Sequence, residues 1–106
     1  MNINKKKPKM IISYAQSIYD LSLFAVKSGV KVVTQNVIHT GAGMMFDYMR
    51  EKIEKVFGCK VFNHYGSREV SSIASECTAH DGLHLLSDFN FVEILDKNGH
   101  PCKDGE

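Results

Sequence analysis

The sequence has no excess of either charge, no long apolar run and no paired-cysteine motif. Thirteen Lys and Arg stand against 12 Asp and Glu in 106 residues, a formal net charge of +1. That balance argues against a nucleic-acid binder that relies on its net field. No apolar run approaches the ~20 residues of a membrane span. No secretory signal is visible, because Met10-Ile11-Ile12 gives way at once to polar Ser13. Cys59, Cys77 and Cys102 are odd in number and widely spaced, without a Cys-x-x-Cys pair, which reads as a reduced, cytoplasmic protein. Internal repeats, low-complexity stretches and an interdomain linker are also missing. The one basic block, Lys5-Lys6-Lys7-Pro8-Lys9, reads as a solvated lead-in rather than a localisation or membrane patch.

What is there fits a single small unit with a modest core. Met10-Ile11-Ile12 is a short buried strand candidate. Ser13-Tyr14-Ala15-Gln16 reads as a capping box with Ser13 at the N-cap. Tyr14, Ile18, Leu21 and Ala25 then repeat at helical spacing, and Gly29 ends the helix. Val30 to His39 is β-branched and reads as a second strand, centred on Asn36–His39. After the turn Thr40-Gly41-Ala42-Gly43, a second helix carries Met45, Met49, Ile53 and Val56 on one face, with Arg50, Glu51, Lys52, Glu54 and Lys55 on the polar face, and stops at Gly58. Lys60 to His64 is a third strand. Strand, helix, strand, helix, strand predicts right-handed crossovers and a parallel sheet. Beyond it, Ser71 to Ser75 reads as a loop or one helical turn, Leu83–Leu86 and Phe89–Leu95 as two more strands, and Asp96-Lys97-Asn98-Gly99 as a tight turn. The expected fold class is α/β: a Rossmann-like three-layer subdomain with a mainly parallel sheet, plus C-terminal strands.

Three groups of residues are chemically suggestive. Gly41-Ala42-Gly43 lies between strand and helix, where backbone can approach a ligand and a helix N-terminus favours anions. The full dinucleotide pattern is absent, since Phe46 stands where a third glycine is needed, and an ordinary turn remains open. Tyr65-Gly66-Ser67-Arg68-Glu69 follows a strand: Tyr65 can stack on a purine, Ser67 and Arg68 can hold phosphate oxygens, and Glu69 can bind Mg²⁺. The alternative is a solvent-exposed turn with a local Arg–Glu pair. Cys77, His80 and His84 offer thiolate and imidazole, with Cys59 and Cys102 able to join after folding, but in no closed zinc-finger spacing. A buried free cysteine beside surface histidines is the other reading. His39 and His64 fall at strand ends, in structural or substrate-lining positions, and no nucleophile–histidine–acid triad can be assigned.

The order of these pieces resembles the phenylacetate–CoA ligase and CapK-like branch of the adenylate-forming enzymes. Pro8-Lys9, Ser13-Tyr14-Ala15, Thr40-Gly41-Ala42-Gly43, Arg50 to Gly58, Tyr65 to Glu69, Glu76-Cys77, Gly82-Leu83-His84, Val92 to Asp96 and Asp104-Gly105-Glu106 follow its landmarks in turn and cover nearly all of the chain. The resemblance implies that Tyr65 stacks on adenine, that Glu69 binds the Mg²⁺ of ATP, and that Gly41 and Gly43 border the adenine and acyl pocket. Gly66, Ser67 and Ala42 go with the same nucleotide site. Arg68 departs from the pattern, standing where many relatives carry a hydroxyl, and is the candidate for the α-phosphate. Cys77 and His84 correspond to a region that binds zinc in some relatives.

The family's phosphate loop should precede such a segment, and its ribose-binding aspartate, hinge and catalytic lysine should follow. Residues 1–106 therefore read as one subdomain of an N-terminal AMP-binding domain. The expected function is part of the core of an ATP-dependent acid–CoA ligase or acyl-adenylating enzyme, inactive alone. Expected ligands are a small carboxylic acid, ATP or AMP with Mg²⁺, and CoA, with no nucleic acid or membrane and with dimer formation possible through exposed sheet edges. A free-standing binding or interaction module of the same topology, without catalysis, is the alternative.

Overall fold

In a computed structural model, which describes residues 2–105, the chain builds one five-stranded sheet. Its elements are α1 (Asn2–Lys6), β1 (Met10–Tyr14), α2 (Ala15–Lys27), β2 (Val37–Gly41), α3 (Asp47–Phe57), β3 (Val61–Ser67), β4 (Ser71–Ser75) and β5 (His84–Leu85). The strands lie in sequence order. β1, β2 and β3 run parallel, whereas β4 and β5 add antiparallel. The α/β class and the parallel crossover unit are those expected from the sequence.

Two crossovers of one hand, between strands laid down in order, bring both helices to the same face. There Ala15, Ile18 and Ala25 of α2 and Met49, Ile53 and Phe57 of α3 close over Ile38 and Val61, all buried. On the opposite face, Met10, Ile12 and Tyr14 of β1 stand out at every second position, with Ile12 75% and Tyr14 66% exposed. Parallel sheets are normally covered on both faces. Among the described residues, the helical layer covers one face of the parallel strands.

Several local expectations change. β1 continues through Ser13 and Tyr14, which pair with Thr40 and Gly41, so Tyr14 rather than Ser13 takes the N-cap position, without a side-chain cap. Ladder pairing has displaced the capping box. The Ser13 hydroxyl donates to Tyr14 O instead, and Gln16 bonds Asp20. The second strand begins only at Val37. In the segment before it the backbone is satisfied elsewhere: Gln35 N–H donates to Phe57 O and Val33 N–H to Asn4 Oδ1. The lysine-rich lead-in starts as α1, with Lys5 and Lys6 exposed.

Ser71–Ser75 is neither loop nor helical turn but a strand, β4. It folds back on β3 through a turn at Arg68, Glu69 and Val70. Of the segment Leu83–Leu86, only His84–Leu85 is strand. Phe89 to Leu95 forms no strand apart from one bridge between Leu95 and Pro101. That bridge closes the expected Asp96–Gly99 turn, which Asp96 Oδ1 stabilises by accepting from Asn98 N–H at 2.8 Å and His100 N–H at 2.9 Å. A strand is expected over residues 89–95, but Phe89 and Phe91 are 86% and 89% exposed. The segment meets β4 instead through Asn90, whose Nδ2 donates to Ser72 O at 2.8 Å.

The β3–β4 pair has a register shift between Tyr65 and Gly66. A Cβ on Gly66 would collide with the Ser71 carbonyl oxygen and come within 2.8 Å of His64 Cε1. The obstructing backbone belongs to the same hairpin and has little room to yield. Gly66→Ala should therefore destabilise the chain by about 1–3 kcal/mol, the usual cost of overpacking. Thermal melting checks this; an unchanged midpoint would show that the hairpin adapts.

Candidate functional site at the carboxyl ends of the parallel strands

Open α/β sheets bind ligands outside the carboxyl ends of their parallel strands. Here those ends bring together Tyr14, the Gly41–Gly43 turn and the stretch from Asn63 to Ser67. Three adjoining cavities open there. One of about 410 Å³ is lined by Ile12, Tyr14, His39 and Gly41 among others. A second, about 480 Å³, has Gly43, Met44, Asn63, Tyr65, Gly66 and Leu83. A third, about 350 Å³, holds Gly66, Ser67, Arg68, Ser71 and Ser72. Ala42 and His64 line all three.

The structure brings most of the expected site residues to this edge. Gly41 ends β2, and Ala42 takes a left-handed φ of 52°, so the alanine makes the turn between the two glycines. α3 does not start at this turn. Met44, Met45 and Phe46 intervene, Phe46 is its N-cap, and acidic Asp47 occupies its first turn. Tyr65 is 57% exposed and lines both the second cavity and a further one of about 440 Å³ shared with Val70, Ile73 and Phe89. Ser67 Oγ accepts from Val70 N–H at 3.3 Å and shapes the hairpin turn. Arg68 lines the third cavity; Glu69 is exposed at the turn and lines none of the three. Among the described residues no ion pair joins Arg68 to Glu69.

Cys77 and His84 do meet, Sγ to Nε2 at 3.1 Å, with Ala79 N–H donating to the same sulfur at 3.4 Å. The described residues contain no group of three or more His, Cys, Asp or Glu able to hold a metal. Two donors fall short of the three or four protein ligands that zinc takes. His80 of the same sequence cluster turns away to Glu76, and Cys59 packs against the hydrophobic core. A lone carboxylate such as Glu69 suits Mg²⁺ better, since that ion is usually held by one or two carboxylates together with substrate phosphates.

Two features escaped the sequence reading. The first is a half-buried carboxylate, Glu76. Its Oε2 accepts from Asn63 N–H at 2.9 Å and from Arg50 Nη1 at 3.1 Å, and Arg50 Nη2 grips Oε1. His80 Nδ1 lies 3.2 Å away, and its ring packs on Phe62. Arg50 Nη1 also donates to Val61 O at 2.6 Å. Burial alone would raise the Glu76 pKa; the Asn63 N–H, Arg50 and His80 together hold it below the ordinary value of 4.5. The partners lie 26 and 13 residues away in sequence, so no local pattern announces them. The second is Asn63, whose side-chain Oδ1 is buried without a hydrogen-bond partner and which lines the cavity beside Tyr65. Its place directly before His64-Tyr65 was the available signal.

His39 and His64 sit with ring centroids 5.3 Å apart. Burial first, then the proximity of His64, lowers the His39 pKa.

The fold is an open α/β unit with its cavities at the carboxyl ends of the parallel strands. No family profile matches the chain. In sequence it is 29% identical to Protein CapK of Staphylococcus aureus over 75 residues, which is 70% of this chain and 17% of CapK. In structure it superposes on VinN with a TM-score of 0.75 at 19% identity, covering 99% of this chain and 28% of VinN. It superposes also on a long-chain-fatty-acid–CoA ligase, FadD1 of Archaeoglobus fulgidus, with a TM-score of 0.73 at 17% identity, over 99% of this chain and 24% of that one. At these identities the two superpositions concern fold. Together with the CapK match they support the resemblance read from the motifs.

The Glu76 network yields a prediction. Glu76→Gln keeps the shape but leaves Arg50 without its counter-charge, and should cost about 1–3 kcal/mol. Because the folded pKa of Glu76 is lowered, the stabilisation is complete above its unfolded value and disappears as pH falls through the folded one. Melting curves from pH 7 to 3 should show the wild type and Glu76→Gln converging at the acid end. Parallel curves would mean that Glu76 is not the titrating group.

Proposed function

We propose that this chain forms part of the nucleotide- and acyl-binding core of an ATP-dependent acid–CoA ligase or acyl-adenylating enzyme. The observation that carries the reading is the convergence of three cavities on Ala42 and His64. Two substrates that must react with each other need adjoining sites with a common wall.

The cavity of Asn63, Tyr65 and Gly43 suits a purine. Tyr65 offers a ring face, and the orphaned Asn63 Oδ1 offers an acceptor for an exocyclic amino group. An unpartnered buried acceptor is costly, and pairing it with a ligand donor removes that cost. Phosphates then lie toward Ser67 and Arg68, whose guanidinium can take two oxygens at once. Glu69, at the neighbouring turn, would hold the Mg²⁺ of ATP. The cavity of Ile12, Tyr14 and His39 takes the carboxylic acid, with the Gly41–Gly43 backbone between the two ligands. The acid's carboxylate would attack the α-phosphate and release pyrophosphate, and CoA would accept the acyl group. This chain contributes orientation and charge complementarity rather than a nucleophile.

The chain spans 17–28% of the length of its relatives. We place residues 1–106 within an N-terminal AMP-binding domain and expect no ligase activity from them alone. No helix among the described residues is long and apolar enough to cross a membrane. A cytoplasmic site, where three free thiols remain reduced, fits the chemistry. The unpaired edge of β1 is where a second copy would add.

Two outcomes test the proposal. AMP should bind the 106-residue chain, and Tyr65→Ala should weaken that binding by about 1–3 kcal/mol, the worth of one base–aromatic stack. Calorimetric titration measures both, and equal affinities would remove Tyr65 from the base site. ATP–pyrophosphate exchange across a panel of aryl and fatty acids should stay at background for this chain. Robust exchange would show that the chain is a complete catalyst.

A further inference from the structure

One imidazole borders all three cavities and is held on several sides. His64 Nε2 lies 3.0 Å from Ser72 Oγ on β4. A Cβ on Gly41 would lie 3.5 Å from His64 Nδ1, and one on Gly66 only 2.8 Å from Cε1. At 41 a Cβ would make only ordinary contact, whereas glycine at 66 is needed to make room for the ring. Its far nitrogen is thus tied to β4, while the Nδ1 edge lies toward Gly41, in the cavity shared with Tyr14 and His39. If the Ser72 hydroxyl donates to Nε2, Nδ1 carries the proton and is a donor. The neighbouring His39 ring is disfavoured as a cation by burial and by His64 itself.

We propose that His64 is the contact shared by the two ligands: fixed by Ser72, it donates its Nδ1–H to an anionic oxygen where the acid and nucleotide cavities meet. The inference rests on the nucleotide-and-acid reading above. Two oxygens share the required chemistry, the carboxylate of the acid and the α-phosphate of the nucleotide.

Two amide substitutions separate the ring's nitrogens. Asn places a donor near the Nδ1 position and cannot reach Ser72; Gln reaches the Nε2 position and lacks the Nδ1 donor. The 106-residue chain, H64N and H64Q are titrated calorimetrically with AMP and with benzoate, and melted in parallel. H64Q should bind at least one probe about tenfold more weakly, as loss of a hydrogen bond to a charged group requires, and H64N should stay within about threefold of wild type. A loss confined to AMP assigns the α-phosphate, a loss confined to benzoate assigns the carboxylate, and a loss of both assigns a shared contact. Wild-type affinity of H64Q for both probes overturns the proposal. So does a larger loss in H64N that tracks its melting temperature, because that pattern marks a purely structural bond to Ser72. If the wild type binds neither probe, this proposal falls together with the nucleotide-and-acid reading; if it binds and H64Q is unaffected, this proposal falls alone. Should H64Q not fold, the ¹⁵N shift of His64 Nδ1 in the wild type decides: movement on adding AMP or benzoate supports the contact, and no movement overturns it.

Discussion

The Glu76 carboxylate ties together elements that the chain makes far apart. It lies one residue beyond β4, and it takes hydrogen bonds from the β3 backbone at Asn63, from Arg50 on α3 and from His80 in the following loop. Withdrawing a carboxylate from water is unfavourable unless donors replace the lost hydration. Here an N–H, a two-pronged guanidinium and an imidazole do so, and the guanidinium also satisfies Val61 O. Helix, parallel strand and returning strand are thereby fixed to one point. The amino-terminal half of β3 is held, and the carboxyl-terminal half, Tyr65 to Ser67, projects from it toward the cavities.

Sheet topology decides where a ligand can go. Both crossovers are of the same hand, so α2 and α3 bury Ile38, Val61 and Phe57 on one side and leave Ile12 and Tyr14 bare on the other. The cavity of Ile12, Tyr14 and His39 lies on that bare side. The cavity of Asn63 and Tyr65 lies on the other, since residues 63 and 65 point opposite to His64 along β3. The two cavities meet at the strand itself. Ala42 and His64 hold that position, and Gly66 keeps room for the imidazole.

The motif read as strand and loop is a hairpin, and this changes the chemical picture of its charged residues. Ser67 and Val70 close the turn, so Arg68 and Glu69 stand at a tip rather than in a buried pocket. In such a place a carboxylate can reach a metal held by phosphates, but it meets little desolvation of its own. The Cys77–His84 pair lies on the following segment, too poor in donors for a zinc site.

The sequence by itself determined the alternation of strand and helix, the left-handed stops at Gly29 and Gly58, the turn at Asp96–Gly99, and the identity of the residues gathered at the ligand edge. These follow from period, from glycine's tolerance of positive φ and from short-range hydrogen bonding, all of which act within a few residues. Tertiary structure alone decided the rest. β4 is strand because β3 supplies a partner for its backbone, although Ser71-Ser72-Ile73-Ala74-Ser75 has a weak pattern of its own. Residues 89–95 read as a strand yet form no ladder beyond one bridge; their contact with β4 runs through the Asn90 side chain, which donates to Ser72 O. Tyr14 ends a strand instead of following a cap because Gly41 pairs with it. The Asn63 and Arg50 contacts of Glu76 and the His39–His64 pair join residues 13 to 26 positions apart, a separation at which only the folded chain brings side chains into reach.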